Sequence, residues 1–287
     1  MTITIVGLGL IGGSLALDLK RNGFAHHVIG VDESAEHCTY ALRTGMVDDC
    51  ADLQVACIQA DLVILAVPVK AVVAILPKVL NWIREEAVVT DMGSTKGEIL
   101  SLMANHPNRR RFVAAHPMAG TEHSGPAAAL NGLFHDKAAI ICDAENSDED
   151  AVRLAERLFR SLFMRIIYMD GTDHDMHAAY VSHVSHISSF VLALTVLEKE
   201  KSEANIFNLA SGGFASTVRL AKSSPRMWRD VYEQNQENIL DVLDSYLGKM
   251  QQFRDHIASG EFEQTYQLME TANAIGPILE QQEKVKN

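Results

Sequence analysis

The chain has 287 residues, of which 47% are hydrophobic and 22% are charged, and its formal net charge is −12 at pH 7. This composition is typical of a globular protein with a substantial core, arranged as one large domain or two of ordinary size. The acidic balance argues against a nucleic-acid-binding protein, which needs a basic face to displace counterions from phosphates.

Further features of the sequence concern the cellular location of the protein and its capacity to bind anions, metals or a membrane. The only basic run is Arg109–Arg111, and we interpret it as a solvated loop in preference to an anion site. The four cysteines form no CxxC pair and have no metal-ligand spacing, which favours reduced thiols in a cytosol. The N-terminus has no signal-peptide pattern, and two prolines and a lysine interrupt the most apolar segment, residues 62–80. We therefore expect a cytoplasmic protein that has neither a metal site nor a membrane partner.

The first half of the chain alternates short apolar runs with helical patterns. Several of these runs are continuously apolar, as expected for strands that are covered on both faces. Strands are predicted at residues 2–7, 27–31, 62–67, 88–91, 112–115, 138–142 and 165–168, and helices between them at residues 13–21, 70–83 and 148–162. This alternation predicts βαβ units and a largely parallel sheet.

The second half has a different pattern, with no convincing strand after Asp170. Residues 174–200 are predicted to form one long helix, and a second long helix is predicted from Pro225, a residue suited to a helix start, to about residue 257. The second helix has one wide apolar face, which packs either within the chain or against a second subunit. We therefore predict a Rossmann-type α/β domain at residues 1–170 and an all-helical domain at residues 171–287.

A glycine-rich turn follows the first predicted strand. The stretch "ITIVGLGLIGGSLALDL" places Gly7, Gly9 and Gly12 between a strand and a helix, the context that the dinucleotide fingerprint requires. The next strand ends at Asp32, where an acid would bind the adenine ribose hydroxyls and repel a 2′-phosphate. The alternative is an ordinary βα turn with a surface aspartate. The combined pattern favours an NAD site.

Two polar segments follow later strands. "DMGSTKGEI" carries Ser94 and "AAHPMAGTEHSG" carries His116, each just beyond the end of a predicted strand. In open α/β sheets, ligands bind outside the carboxyl ends of the strands, so both side chains fall on the expected nicotinamide side. The alternatives are a helix N-cap for Ser94 and a loop residue for His116.

The long helix from residue 174 carries four histidines, and a later segment carries an arginine suited to a carboxylate. On a straight helix, His174 and His177 face one side while His183 and His186 point nearly opposite, which argues against a single metal site. Buried core histidines and a polar substrate cavity remain as alternatives. Arg219 is a candidate for carboxylate recognition, and a surface ion pair is its alternative.

Six segments of the chain occur in the order and spacing of one known family. They are "GLGLIGGSLAL", "ILAVPV", "DMGSTKG", "HPMAGTE", "YVSHVSHIS" and "TVRLAKSSPRMWRD". With them the chain resembles the prephenate dehydrogenases, a family that includes the arogenate dehydrogenases of tyrosine biosynthesis. The resemblance implies oxidative decarboxylation of prephenate to 4-hydroxyphenylpyruvate, with hydride transfer to NAD, in a homodimer.

The resemblance also implies roles for individual residues. His116 matches the histidine that accepts the proton of the ring hydroxyl. Ser94 matches a serine that helps to orient this histidine and the hydroxyl. Arg219 matches the arginine that binds a substrate carboxylate, and His186 lines the pocket. The further implied substrate residues are His183, Trp228 and Gly213, and the implied cofactor residues are Gly7, Gly9, Ile11, Gly12, Asp32 and Val67.

The chain departs from the family pattern at two places. Ser185 stands where the family helix often has proline, and Ala215 and Ser216 stand where an Arg-Asp pair is frequent. These changes leave the choice between prephenate and arogenate open. A β-hydroxyacid dehydrogenase and a non-catalytic NAD-binding sensor are more distant alternatives, and the sensor would have no need of Ser94, His116 and Arg219.

Overall fold

The computed structural model describes residues 1–201, 203 and 205–284, the last three of these by their backbone. Within these described residues, eight strands form one sheet in the order β3-β2-β1-β4-β5-β6-β7-β8. The strands are β1 Thr2–Val6, β2 His27–Val31, β3 Asp49–Cys50, β4 Leu62–Leu65, β5 Val88–Asp91, β6 Phe112–Pro117, β7 Ala138–Cys142 and β8 Arg165–Met169. Every pairing is parallel except that of β6 with β7.

The six strands β1 to β6 lie in the order 3-2-1-4-5-6, which is that of the doubly wound dinucleotide-binding fold. The seven strands predicted from the apolar runs are present with end shifts of up to two residues. The two-residue strand β3 was missed because it is too short to show a periodicity. Successive residues of a central strand enter different cores: Leu62 and Ile64 pack in one cluster, Val63 and Leu65 in the other.

Thirteen α-helices lie in the described part of the chain. They are α1 Leu10–Arg21, α2 Ala35–Arg43, α3 Leu53–Gln59, α4 Val69–Trp82, α5 Gly97–Met103, α6 Glu149–Ser161, α7 Gly171–Ala178, α8 Val184–Glu200, α9 Gly212–Thr217, α10 Pro225–Gln234, α11 Gln236–Ser259, α12 Phe262–Ala272 and α13 Ile275–Lys284. The chain divides into two compact units, Met1–Gln236 and Glu237–Asn287. All residues of the site described below belong to the first unit.

The long helix predicted at residues 174–200 is present, but it is not a straight α-helix. A π-helical turn, Ala179–His183, joins α7 to α8. Each residue turns the chain by a smaller angle in a π-turn than in an α-helix, so the arrangement expected for a straight helix is wrong. His174 and His183 are both only 1% exposed, whereas His177 faces solvent. π-turns within α-helices frequently occur at functional sites.

The second long helix, predicted to run unbroken from Pro225, is interrupted. Helix α10 ends at Gln234 and α11 begins at Gln236, and Asn235 between them has φ −117° and ψ 31°. The apolar periodicity continues across the break, which is why the sequence pattern did not reveal it. The side chain of Asn235 is buried and makes polar contacts.

The basic run Arg109–Arg111 is not a solvated loop. It forms a 3-10 turn in which Arg109 is 7% exposed and donates to the Phe112 carbonyl at 2.7 Å. Arg110 and Arg111 form ion pairs with Asp148 and Asp150. The run therefore has a structural role, in tying the start of β6 to the region around α6.

One helical span among the described residues, Gly171–Glu200, is long and apolar enough to cross a membrane by length and composition alone. Only 11% of its most apolar window is buried within the chain. The exposed apolar side chains on α8 include Val191, Leu194 and Leu197. In a single chain, this apolar surface of α8 is exposed to solvent.

Candidate active site

The glycine-rich turn lies between β1 and α1. Gly7 has a φ of +93°, and a Cβ there would lie 2.5 Å from the Ala66 carbonyl oxygen and 2.8 Å from a Val67 methyl group. A Cβ on Gly12 would overlap the Gly7 carbonyl oxygen, whereas one on Gly9 would meet nothing within 4 Å. Only glycine therefore fits at the first and third positions, while open space lies over the second.

That open space suits a pyrophosphate. Gly9 is the N-cap of α1, a twelve-residue helix, and it has no side chain to occupy the N–H groups of the first turn. Those groups and the helix dipole favour an anion. Ile11, the second residue of α1, is partly buried.

Asp32, just beyond β2, is held against the same turn. Its Oδ2 accepts a hydrogen bond from the Leu8 N–H at 2.8 Å, and its Oδ1 accepts one from the Ser34 N–H at 2.9 Å. His37 Nδ1 lies 3.1 Å from the same Oδ1. The carboxylate is thus fixed where the turn and the second strand meet, the position that recognises ribose hydroxyls in this fold.

His116 stands at the carboxyl end of β6, and a chain of hydrogen bonds runs from its ring into α7. His116 Nδ1 lies 2.9 Å from His174 Nε2, and His174 Nδ1 lies 2.8 Å from Asp175 Oδ1. The Asp175 carboxylate also accepts from the backbone N–H groups of Lys96 at 2.7 Å and Gly97 at 2.8 Å. All three side chains of this His116–His174–Asp175 chain are buried.

The side chain of Lys96 closes this arrangement from the β5 side. Its Nζ is fully buried, is ion-paired with Asp91, and donates to the Ala115 carbonyl at 2.8 Å. Lys96 therefore fixes the backbone one residue before His116. Burial first, and then the charges of His174, Lys96 and His183, hold the pKa of His116 well below its usual 6.5. His116 is neutral at neutral pH as a result.

His183, at the end of the π-turn, is held by Asn235. The Asn235 amide nitrogen donates to the Asp175 carbonyl at 2.7 Å and lies 3.2 Å from His183 Nδ1. Because that nitrogen is a donor, Nδ1 of His183 is the acceptor, and a neutral ring then carries its proton on Nε2. Burial lowers the pKa of His183 to about 4.

His186 lies one turn further along and packs on an indole. Its ring centroid is 3.8 Å from that of Trp228, and its Nδ1 donates to the Ser182 carbonyl at 2.9 Å. Trp228 also meets the edge of His183, with centroids 5.7 Å apart. The buried indole N–H and the buried Tyr232 hydroxyl have no hydrogen-bond partner among the residues described.

Arg219 reaches this region from the loop between α9 and α10. Its Nη1 donates to Glu122 Oε2 at 3.3 Å, and its side chain is 51% exposed. Its charge contributes to lowering the pKa of His186, after burial, which is the larger cause. The structure thus brings His116, His183, His186, Arg219 and Trp228 together in one region, and their roles remain predictions.

Other predicted residues take less defined positions. Ser94 is partly buried in the loop before α5, and the helix N-cap is Lys96 instead, so the N-cap alternative for Ser94 is wrong. Gly213 is exposed in α9.

Sequence analysis gave no role to Asp175, to Asn235, or to Lys96, which lies beside Ser94 near the end of a predicted strand. Each of the three makes its hydrogen bonds to residues distant in sequence. His174 is flanked by two acids, Asp173 and Asp175, and the sequence does not show which of them the fold places against the histidine chain.

Within the described residues, no three side chains of His, Cys, Asp or Glu are grouped so that they could hold a metal ion. The histidines instead satisfy one another, a carboxylate, a backbone carbonyl and an amide. The doubly wound sheet and the glycine turn define a dinucleotide-binding protein. The buried histidine chain beside the carboxyl edge of its sheet is suited to proton transfer.

Comparison with known proteins identifies the family. The model of the prephenate dehydrogenase nucleotide-binding domain matches residues 15–168, and that of the prephenate dehydrogenase dimerization domain matches residues 170–271. The chain therefore belongs to the prephenate dehydrogenase family. The predicted family, fold class, enzyme class and NAD cofactor are thereby confirmed.

Three relatives illustrate the match. A prephenate dehydrogenase of Bacillus subtilis is 34% identical over 278 residues, covering 94% of this chain and 74% of the relative. The prephenate dehydrogenase of Aquifex aeolicus, solved with hydroxyphenyl propionate and NAD+, is 30% identical with a TM-score of 0.89, over 97% of this chain and 98% of that one. A Synechocystis arogenate dehydrogenase is 27% identical with a TM-score of 0.77, over 97% of this chain and all of the other.

Proposed function

We propose that the chain catalyses the NAD-dependent oxidative decarboxylation of prephenate to 4-hydroxyphenylpyruvate, with His116 as the base. The observation that carries this proposal is the 2.9 Å hydrogen bond between His116 Nδ1 and His174 Nε2. Because that bond occupies Nδ1, the ring meets a substrate through Nε2. A neutral, buried imidazole is suited to accept a hydroxyl proton.

The proton and the electrons balance in this reaction. The ring hydroxyl gives its proton to His116 while the hydride on the same carbon leaves. The bond to the ring carboxylate then breaks, CO₂ departs, and the electron pair of that bond makes the ring aromatic. The product oxygen takes the proton back from His116 and becomes a phenol, so no net proton is taken up or released.

NAD, when bound, supplies the hydride acceptor. The open space over Gly9 and the unoccupied N–H groups at the start of α1 fit its pyrophosphate, and Asp32 fits its ribose. The residues that we assign to the cofactor are Gly7, Gly9, Ile11, Gly12, Asp32 and Val67.

Substrate binding is assigned to the cluster around the π-turn. Arg219 would bind a carboxylate through two parallel hydrogen bonds, since its weak, exposed pairing with Glu122 is easily exchanged. His186, stacked on Trp228, lines the pocket beside it. The residues that we assign to the substrate are Arg219, His186, His183, Trp228 and Gly213, and Ser94 is assigned to orient His116.

In the same proposal, the two parts of the chain have different roles. Residues 1–170 would bind the nucleotide, and residues 171–287 would bind the substrate and form a homodimer, as the match to a dimerization-domain model supports. The apolar surface of α8 would then be covered by a second subunit. A membrane is a poor alternative, because the same helical span carries buried His174, Asp175 and His183, and polar groups of this kind are costly in a bilayer. We accordingly place the protein in the cytoplasm.

The test is NADH formation, followed at 340 nm, with prephenate and arogenate offered in parallel and with NAD and NADP. Turnover with prephenate and NAD is expected. Turnover with arogenate alone would overturn the substrate and direct attention to Ala215 and Ser216, both exposed in α9. No turnover with either substrate, in protein that binds NAD, would overturn the proposed activity.

A further inference from the structure

We infer that His174 and Asp175 are positioning residues that fix the tautomer of His116, so that Nε2 of His116 is unprotonated when substrate arrives. This inference rests on the proposed role of His116 and deepens it. The two residues touch neither cofactor nor substrate in this account. They act on the reaction only through the His116 ring.

The direction of the hydrogen bonds follows from the acceptor at the inner end of the chain. An ionised carboxylate can only accept, and that of Asp175 receives the Lys96 N–H, the Gly97 N–H and His174 Nδ1. His174 must therefore donate through Nδ1. In a neutral ring its Nε2 is then an acceptor, which requires His116 to donate through Nδ1 and leaves His116 Nε2 as a free lone pair.

The surroundings favour this order of donors and acceptors over one in which the His174 ring carries two protons. The His174 ring is 1% exposed, so a second proton on it would have to be stabilised without water. The charged or titratable groups around the pair are Lys96 and its ion-pair partner Asp91 from the β5 side, Asp175 on the same helix, and His183 from the π-turn. The charge of Lys96, although paired with Asp91, contributes to lowering the pKa of His116, so a further cation in this buried pair of rings is disfavoured.

The His116–His174–Asp175 hydrogen bonds also stabilise His116 after it has accepted the proton. The imidazolium then donates through Nδ1 to His174 Nε2, and the negative charge of Asp175 lies one ring further away. A carboxylate that orients a histidine and stabilises its protonated form has the equivalent role in the Ser-His-Asp triad. Here an extra imidazole connects the carboxylate to the base.

The decisive variant is Asp175→Asn. Asp175 Oδ1 receives both the Lys96 N–H and His174 Nδ1, whereas Oδ2 receives the Gly97 N–H. An asparagine that keeps its oxygen on the Gly97 N–H turns its NH₂ group toward His174 Nδ1, which reverses both rings, whereas the opposite orientation of the amide keeps the tautomers of the parent. In the first orientation, His116 Nε2 would carry a proton and could not accept one. We expect kcat with prephenate to fall at least 100-fold at every pH from 6 to 9, while the prephenate KM and the NAD affinity change less than threefold.

A second variant keeps the donor and acceptor order without a titratable ring. In His174→Gln, the amide oxygen can accept from His116 Nδ1 and the NH₂ group can donate to Asp175. We expect it to retain turnover within about tenfold of the parent, whereas His174→Phe should match the loss in Asp175→Asn. The control is Asp173→Asn, an exposed acid on the same helix, which should leave turnover unchanged.

The structural readout is the ¹⁵N chemical shift of each histidine nitrogen in the full-length protein with NAD bound. The parent should show unprotonated Nε2 in both His116 and His174, and Asp175→Asn should show both protonated. A parent His116 that carries its proton on Nε2 would overturn the inference without any variant. So would full turnover in an Asp175→Asn protein whose His116 Nε2 is protonated, whereas failure of the parent with prephenate would overturn the proposed function instead.

Discussion

The guanidinium of Arg219 and the carboxylate of Glu122 are joined by one hydrogen bond of 3.3 Å, between a loop of the helical half and the loop that follows His116. The arginine is half exposed, so the pair contributes little to stability. Removal of the arginine should therefore affect binding of an anionic substrate far more than folding.

We expect Arg219→Ala to raise the prephenate KM on the order of 100-fold, because hydrogen bonds between charged groups contribute about 1.5–3 kcal/mol. Arg219→Lys keeps the charge but loses the paired donors, and about tenfold is expected. Steady-state kinetics at saturating NAD measures both. Arg226→Ala, an exposed arginine of α10, is the control. An unchanged KM in Arg219→Ala would remove this residue from the substrate site.

Asp32 determines the choice of dinucleotide in this account. Asp32→Asn can still accept the Leu8 N–H but no longer repels a 2′-phosphate. The ratio of kcat/KM for NAD to that for NADP should fall by about tenfold or more, since a charge repulsion of 1.4 kcal/mol corresponds to a factor of ten. Asp52→Asn, at the start of α3, should leave the ratio unchanged. A constant ratio in Asp32→Asn would mean that another residue excludes NADP.

Burial of His183 makes the fold sensitive to acid. Its pKa is lowered to about 4 in the folded protein, mainly by burial, against 6.5 in an unfolded chain. Between these values the unfolded state binds more protons, so stability falls as the pH falls from 6.5 toward 4. The contribution of this one group amounts to about 2 kcal/mol between pH 7.5 and pH 5.

Urea unfolding followed by tryptophan fluorescence measures this effect, because both tryptophans lie in the unit Met1–Gln236. The loss of unfolding free energy between pH 7.5 and pH 5 should be about 2 kcal/mol smaller in His183→Gln than in the parent. His135→Gln, in an exposed loop, should behave like the parent. Equal losses of unfolding free energy in the parent and in His183→Gln would contradict the burial of His183 as the cause of the acid sensitivity.

The exposed apolar side of α8 should be covered in a homodimer. Leu194 is 65% exposed within a single chain, and an aspartate there would place an unpaired charge in the interface. Leu194→Asp should shift the protein from twice the chain mass of 31.5 kDa to the monomer in sedimentation equilibrium. Thr39→Asp, at an exposed position of α2, is the control. A parent that sediments as a monomer would contradict the dimer.

The sheet could be predicted from sequence because its signals are local. Apolar runs such as Leu62–Leu65 define buried strands, and the glycine turn has a pattern that follows directly from steric limits on Gly7 and Gly12. Motif resemblance also singled out His116 and Arg219. These predictions needed no knowledge of how distant parts of the chain meet.

The remaining features depend on tertiary contacts that leave no periodic trace. The π-turn shifts His183 into the cluster of His174, and no residue type in Ala179–His183 announces it. Asn235 interrupts a helix whose apolar pattern continues, and its side-chain amide donates a hydrogen bond to the Asp175 carbonyl. Asp175 itself is indistinguishable in sequence from exposed Asp173 until the fold places Lys96 and Gly97 against it.

The role of His116 as the base is tested most directly by the kcat of His116→Asn with prephenate and NAD, measured beside the parent as NADH formation at 340 nm. General-base catalysis contributes about 10²–10⁴ in rate, and we expect kcat to fall by a factor in that range while NAD binding persists. A parent that reduces NAD with prephenate and a His116→Asn variant with the same kcat would contradict the assignment of His116 as the base.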